Sequence, residues 1–112
     1  MRNKSDQFPA DLIRLAKIAK ALSHPARIRI LQVLADCNTC ITGELVGRLP
    51  LAQATVSQHL LELKTAGFIK GEIQGPKTCY CLDHQKIAAA GTDISRLFQN
   101  LSKINVLDIK GD

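Results

Sequence analysis

The stretch LAQATVSQHLLELKTAG, residues 51–67, decides the fold. At 3.6 residues per turn, Ala52, Val56, Leu60 and Leu63 form one stripe with His59 at its edge, while Ala54, Ser57, Gln58 and Leu61 lie opposite. The first stripe is apolar and belongs in a core. The second is short, mostly uncharged and rich in hydrogen-bonding groups, where an ordinary solvated helix face would carry Glu and Lys. Such a face suits a helix that enters a DNA major groove, since Gln, Ser and Thr offer donors and acceptors to base edges.

Upstream of it, Thr42 is placed to cap a short helix, Gly43 to Leu49, that turns Leu45 and Leu49 inward and stops at Pro50. Residues 42–66 therefore read as a helix-turn-helix. Downstream, Gly67 suits the left-handed position that ends a helix. The period then changes from 3.6 to 2: Phe68, Lys70 and Glu72 alternate with Ile69, Gly71 and Ile73. Gln74-Gly75-Pro76-Lys77 reads as a turn, and Thr78 to Leu82 as the returning strand, so 68–82 is a hairpin. Asp83 can cap a last helix over 84–105, with Ile87, Ala90, Ile94, Leu97, Leu101 and Ile104 as a heptad-like seam.

At the other end, residues 1–8 are polar and read as frayed. Pro9 suits the first turn of a helix over 9–22, with Leu12, Leu15, Ala16, Ala19 and Leu22 at helical spacing up to the break at Ser23-His24-Pro25. Ser23 can cap the next helix, with Pro25 in its first turn and Ile28, Leu31 and Leu34 as its buried stripe, ending near Asp36. Cys37 to Ile41 is a connection or a brief strand. The fold class that follows is mostly α with a small β-hairpin, α-α-α-α-β-β-α, in one domain over residues 1–112. The first and last helices carry apolar stripes with nothing left to cover them, so two copies should pair through 9–22 and 84–105. Gly91 costs that last helix about 1 kcal/mol relative to alanine, which is tolerable where two backbones approach closely.

Composition narrows the partners. Fifteen Lys and Arg against ten Asp and Glu leave a formal charge of +5, favouring an acidic partner such as a phosphate backbone. Arg48, Lys64, Lys70 and Lys77 are the candidate phosphate contacts, and each would fix position more than sequence. The N-terminus MRNKSDQF does not resemble a signal peptide and no apolar run reaches the ~20 residues of a membrane span. The expected setting is cytoplasmic, where four cysteines are reduced thiols, metal ligands or redox sensors in preference to a disulfide framework.

The segments ALSHPARIRILQVL and GELVGRLPLAQATVSQHLLELKTAGFI closely resemble the arsenic-repressor (ArsR/SmtB) family of bacterial winged helix-turn-helix regulators, and the match runs over about residues 12–82. The resemblance implies a homodimer that sits on a palindromic double-stranded operator and represses a nearby gene until an inducer loosens it. The base-reading positions of the family's SQSTVSxHL motif fall on Gln53, Thr55, Ser57 and Gln58. Two serines of that motif are Ala52 and Ala54 here, which removes an N-cap and a groove contact, and Leu61 stands where relatives often carry Lys or Arg. The hairpin corresponds to the wing, whose basic tip at 74–77 would lie along a flanking minor groove. His59, at the edge of the core stripe, reads as a hydrogen-bonded packing residue and His84 as part of a helix start.

In a winged helix the short segment before the third helix pairs with the returning strand. Cys79 and Cys81, two apart, point to one face of that strand, and Cys40 with Cys37 would come beside them. A C-x2-C and C-x-C cluster of thiolates suits zinc, cadmium, mercury or trivalent arsenic, although the fold itself requires no cofactor. The family's own boxes are not matched: its arsenic-binding Cys-x-Cys falls on Ile41 and Gly43, and Asp83-His84 lacks the later histidine of its other metal site. The function indicated is a DNA-binding repressor, not an enzyme, released by a soft metal or arsenite at the cysteines. Redox or sulfur sensing by the same thiols and purely structural cysteines are the alternatives, and so is a winged-helix module that binds protein. A small Cys37-x-x-Cys40 oxidoreductase would need a βαβ unit that the pattern lacks.

Overall fold

The computed structural model describes residues 7–37, 41–42, 47, 49–74 and 77–103. Helix α1 spans Ala10–Ala21, α2 Pro25–Cys37, α3 Gln53–Thr65 and α4 His84–Ser102. Strand β1 is Ile41–Thr42, β2 Ile69–Gln74 and β3 Lys77–Leu82, in one antiparallel sheet of order β1-β3-β2. In β1, Ile41 pairs with Tyr80 and Thr42 with Cys79, and in the hairpin the register runs from Ile69 opposite Leu82 to Gln74 opposite Lys77. This is the winged helix-turn-helix arrangement. Of the expected short helix at 43–49 only Gly47, in a turn, and half-buried Leu49 are described; the hairpin tip Gly75-Pro76, residues 1–6 and the last turn beyond 103 lie outside the described residues.

The core is one cluster in which Ile18 and Ala21 of α1, Ile30 and Leu34 of α2, Val56, Leu60 and Leu63 of α3, Phe68 just before β2, Ile69 of β2 and Ala90 of α4 meet. Three of the four residues expected on the α3 core stripe are buried there, and Ala52 is the exposed exception. One stripe differs from expectation. In α2 the inward residues are Ile30 and Leu34, with Leu31 half-buried, while Ile28 is 44% exposed. Ile28, Ile30, Leu31, Val33 and Leu34 are apolar on more than one face, so periodicity alone leaves the phase undetermined. In α1 Leu12, Ala16, Ala19 and Leu22 are exposed in a single chain, as a stripe reserved for a second copy should be, while Ile18 and Ala21, on the side that carries Arg14 and Lys17, turn into the core.

The helix ends carry further corrections. Pro9 is the N-cap of α1, not a first-turn residue. Ser23 does not cap α2: its hydroxyl donates to the Lys20 carbonyl at the end of α1 (2.7 Å), and His24 does the capping, its Nδ1 accepting from the Ala26 N–H at 3.0 Å. Thr42 lies in β1 opposite Cys79, and the first turn of the helix it was expected to cap lies outside the described residues. Asp83 caps α4 as expected, its carboxylate accepting from the Lys86 N–H.

The end of α3 fixes where the wing begins. Gly67 takes φ +87°, the Phe68 N–H donates to the Leu63 carbonyl and the Gly67 N–H to the Lys64 carbonyl, both at 3.0 Å. This is the Schellman pattern, and buried Phe68 and Leu63 supply its apolar contact. A Cβ at Gly67 would also meet the Lys86 side chain at 2.9 Å, which an exposed flexible chain can relieve. The backbone strain remains. Gly67→Ala should therefore cost about 1–2 kcal/mol in urea unfolding, and Gly67→Asn less, because asparagine tolerates the left-handed region.

Candidate nucleic-acid interface

All four residues expected to read bases stand on one exposed surface of α3. Gln53, Thr55, Ser57 and Gln58 are exposed, together with Ala54 and Leu61, while Val56, His59, Leu60 and Leu63 are buried on the opposite side. Ala52 provides no side-chain cap, so the first-turn N–H groups lack that acceptor and face the mouth of the helix. Leu61, 55% exposed, puts an apolar group where a charge would otherwise dominate. Lys64 is exposed in the last turn of α3 and Lys70 is exposed on β2, the first strand of the wing. Arg48 and the Lys77 side chain lie outside the described residues.

His59 holds this helix down. It is 7% exposed, and its Nδ1 accepts a hydrogen bond from the Arg27 Nε at 3.1 Å. The other arm of the Arg27 guanidinium donates to the Lys20 carbonyl at the end of α1, 2.8 Å away. The His24 ring lies 4.4 Å from the His59 ring, tilted by 44°. Burial pushes the His59 pKa below the ordinary histidine value, and the neighbouring His24 and Arg27 push it the same way against a smaller opposing effect of Glu62. Its role as a packing residue is as expected. Arg27 was not singled out from the sequence, although one signal was available: it lies on the 27-30-34 line of α2, so it is a cation at the head of a buried stripe.

The thiols lie on the returning strand of the wing. Cys79 is buried at 8% exposure and Cys81 is half-buried, on alternate residues of β3 and hence facing the same way. Cys79 is the cross-strand partner of Thr42 and Glu72, and Cys81 of Lys70. Cys40 and the Cys37 side chain lie outside the described residues, and among the described residues no three potential ligands converge. Two thiols on one strand face fit a soft ion in donor chemistry. Such sites take three or four donors, so the set would need Cys37 or Cys40 to be complete. No described helix is long and apolar enough to cross a membrane.

A family model described as bacterial regulatory protein, arsR family, matches residues 24–70, from the start of α2 to the first residues of the wing. The chain is 37% identical over 94 residues to the HTH-type transcriptional repressor SmtB of Mycobacterium tuberculosis, a match covering 76% of this chain and 69% of that one. It is 36% identical over 76 residues to the HTH-type transcriptional regulator CmtR of the same organism, covering 68% of this chain and only 64% of the relative's length. In fold it resembles a homodimeric winged helix-turn-helix DNA-binding domain from Mycobacterium bovis, with a TM-score of 0.65, 23% identity and coverage of 92% of this chain and 94% of that one.

Proposed function

The chain belongs to the arsR family of bacterial regulatory proteins, and on that premise we propose that it is a sequence-specific transcriptional repressor that binds a palindromic operator as a homodimer. The observation that carries this reading is the joint exposure of Gln53, Thr55, Ser57 and Gln58 on a helix whose opposite stripe is packed in the core. Their amides and hydroxyls match base edges, and Lys64 and Lys70 flank them for phosphates. Arg48 and Lys77, expected from the sequence as further phosphate contacts, would add to them. The protein acts in the cytoplasm by binding and release, without catalysis.

The dimer reading rests on apolar groups that one chain leaves uncovered. Leu12 and Leu22 on α1 and Phe98 and Leu101 on α4 are 36–69% exposed. Beside them opens an apolar groove of about 400 Å³ between α1, α2 and α4, lined by Leu22, Ile28, Leu31, Ile87 and Ile94 among others. A second copy laid along α1 and α4 covers these groups and doubles the charge facing DNA. A Cβ at Gly91 would meet nothing within 4 Å, which leaves room for a neighbouring backbone. Arg14 and Asp93, paired at 2.9 Å, tie α1 to α4 and so shape that surface.

For the inducer, Cys79 and Cys81 with Cys37 and Cys40 would hold a soft metal ion or arsenite, and drawing the β3 thiolates toward those that precede β1 in sequence would re-aim the wing. The burial of Cys79 supports a second reading, in which that thiol packs the wing and senses nothing. One experiment addresses both levels: gel retardation of the chain's own upstream DNA at about 50 and 200 mM salt, repeated with arsenite or cadmium. Four basic contacts from each of two copies predict a loss on the order of 10⁴-fold across that salt range. Absence of binding at low salt would refute the repressor reading. Binding that ignores both thiophilic ions would leave the DNA-binding reading standing and remove the soft-ion sensor.

A further inference from the structure

We propose that Arg27 is a positioning residue for DNA reading: its guanidinium fastens the end of α1 to the buried side of the reading helix through a neutral His59, so that the seat of α3 depends on the protonation of one imidazole. The inference rests on the DNA-binding function proposed above and names the device that sets its geometry.

The geometry fixes the tautomer. Arginine is always a donor, so the His59 Nδ1, 3.1 Å from the Arg27 Nε, must be an acceptor and the ring proton must sit on Nε2. That Nε2 is buried and has no hydrogen-bond partner among the described residues. Protonation would put an N–H on Nδ1 against the Arg27 N–H and a second cation beside a guanidinium, with no acceptor gained at Nε2. The Nε contact then breaks, while the Lys20 carbonyl still holds the other arm of Arg27. A guanidinium has the spread to hold two acceptors on different elements; an ammonium offers its donors from one point.

The groups around His59 set the sign of the effect. His24 and Arg27 at the α1–α2 corner oppose its charged form, and so does burial; only Glu62, one turn on along α3, favours it. The folded-state pKa therefore lies below the unfolded value near 6.5. The clamp's contribution is fully present above about pH 6.5 and is lost as the pH falls below it toward the folded value. Since His59 lies between Gln58 and Leu60, loosening it moves Ser57 and Gln58 with it, although neither touches Arg27.

The test uses the full chain with and without DNA. Without DNA, NMR of the His59 ring should show the Nε2–H tautomer and a pKa below the ordinary histidine value. With DNA, wild-type affinity for the upstream fragment should fall about threefold more between pH 7.5 and 5.0 than that of His59→Asn, whose amide oxygen can accept from Arg27 but cannot titrate. Arg27→Lys should lose about tenfold in operator affinity at pH 7.5 and should raise the His59 pKa less than Arg27→Gln, which removes the cation. A His59 ring that titrates at or above the ordinary value, or an Arg27→Lys variant that binds DNA as wild type does, would overturn the clamp. Should His59→Asn fail to fold, the ring titration and Arg27→Lys decide the matter. Failure of wild type to bind DNA at any pH, with the ring behaving as described, would instead refute the repressor reading.

Discussion

Replacing Ser57 and Gln58 together by alanine should abolish the preference for the operator while leaving the dimer intact. Both side chains are exposed at the middle of α3, on the face opposite Val56, Leu60 and Leu63. Alanine is the best helix former, so the double variant keeps the helix, and the core stripe is untouched. A good base contact is worth about 1–3 kcal/mol of discrimination. Two such contacts in each copy therefore predict at least a ~100-fold fall in the ratio of operator to unrelated-DNA affinity. Affinity for unrelated DNA should change by less than about threefold, because phosphates dominate it and Lys64 and Lys70 remain. Competition retardation against scrambled DNA measures the ratio, and sedimentation measures the dimer. The effect should be large because this reading surface has few alternatives: Ala52, Ala54 and Leu61 occupy positions where family members carry hydrogen-bonding or charged groups, leaving Gln53 and Thr55 to act alone. Unchanged specificity in the double variant would move the reading surface to another element.

The reading helix was legible in the sequence because everything that defines it is local. Its apolar stripe repeats within thirteen residues, its end is marked by the glycine at φ +87°, and the alternation of the wing starts directly after it. The Asp83 cap and the pairing of β1 with the returning strand were legible for the same reason, or through the resemblance. What escaped depends on relations that no local pattern records. The clamp joins Arg27 and His59 across 32 residues, and neither has a nearby partner in sequence to betray it. The inward face of α2 was not legible because its apolar residues occupy more than one face, and on α1 the apolar stripe exceeds what one core can bury in a single chain. On α1 the surplus, Leu12 and Leu22, stays exposed. The Ser23 and His24 exchange has a similar origin: either side chain can cap, and backbone geometry at the corner turns Ser23 back to Lys20. Where local preference is degenerate, tertiary contacts decide, and those include surfaces that a second copy would supply.

Two leucines on α3 separate folding from reading. Leu63 is fully buried and Leu61, one residue type two positions away, is 55% exposed on the DNA-facing side. Leu63→Ala should destabilise the chain by about 2–5 kcal/mol, because it loses both transfer free energy and close packing at the junction of α3 with the core. The Leu63 carbonyl also accepts from the Phe68 N–H and its side chain makes the apolar Schellman contact, so the entry of the wing should loosen along with the helix. Leu61→Ala removes the same atoms from solvent-exposed surface, and its cost should stay within about 0.5 kcal/mol. Urea unfolding at fixed protein concentration provides the comparison, since a dimer's stability depends on concentration. On DNA the order should differ. Below the unfolding transition, folded Leu63→Ala keeps every reading group and should retain the operator preference, whereas Leu61→Ala alters the reading face and should shift that preference without a stability change. Equal destabilisation by the two substitutions would mean that Leu61 is covered in the working assembly, placing a protein surface where the groove of DNA is proposed to lie.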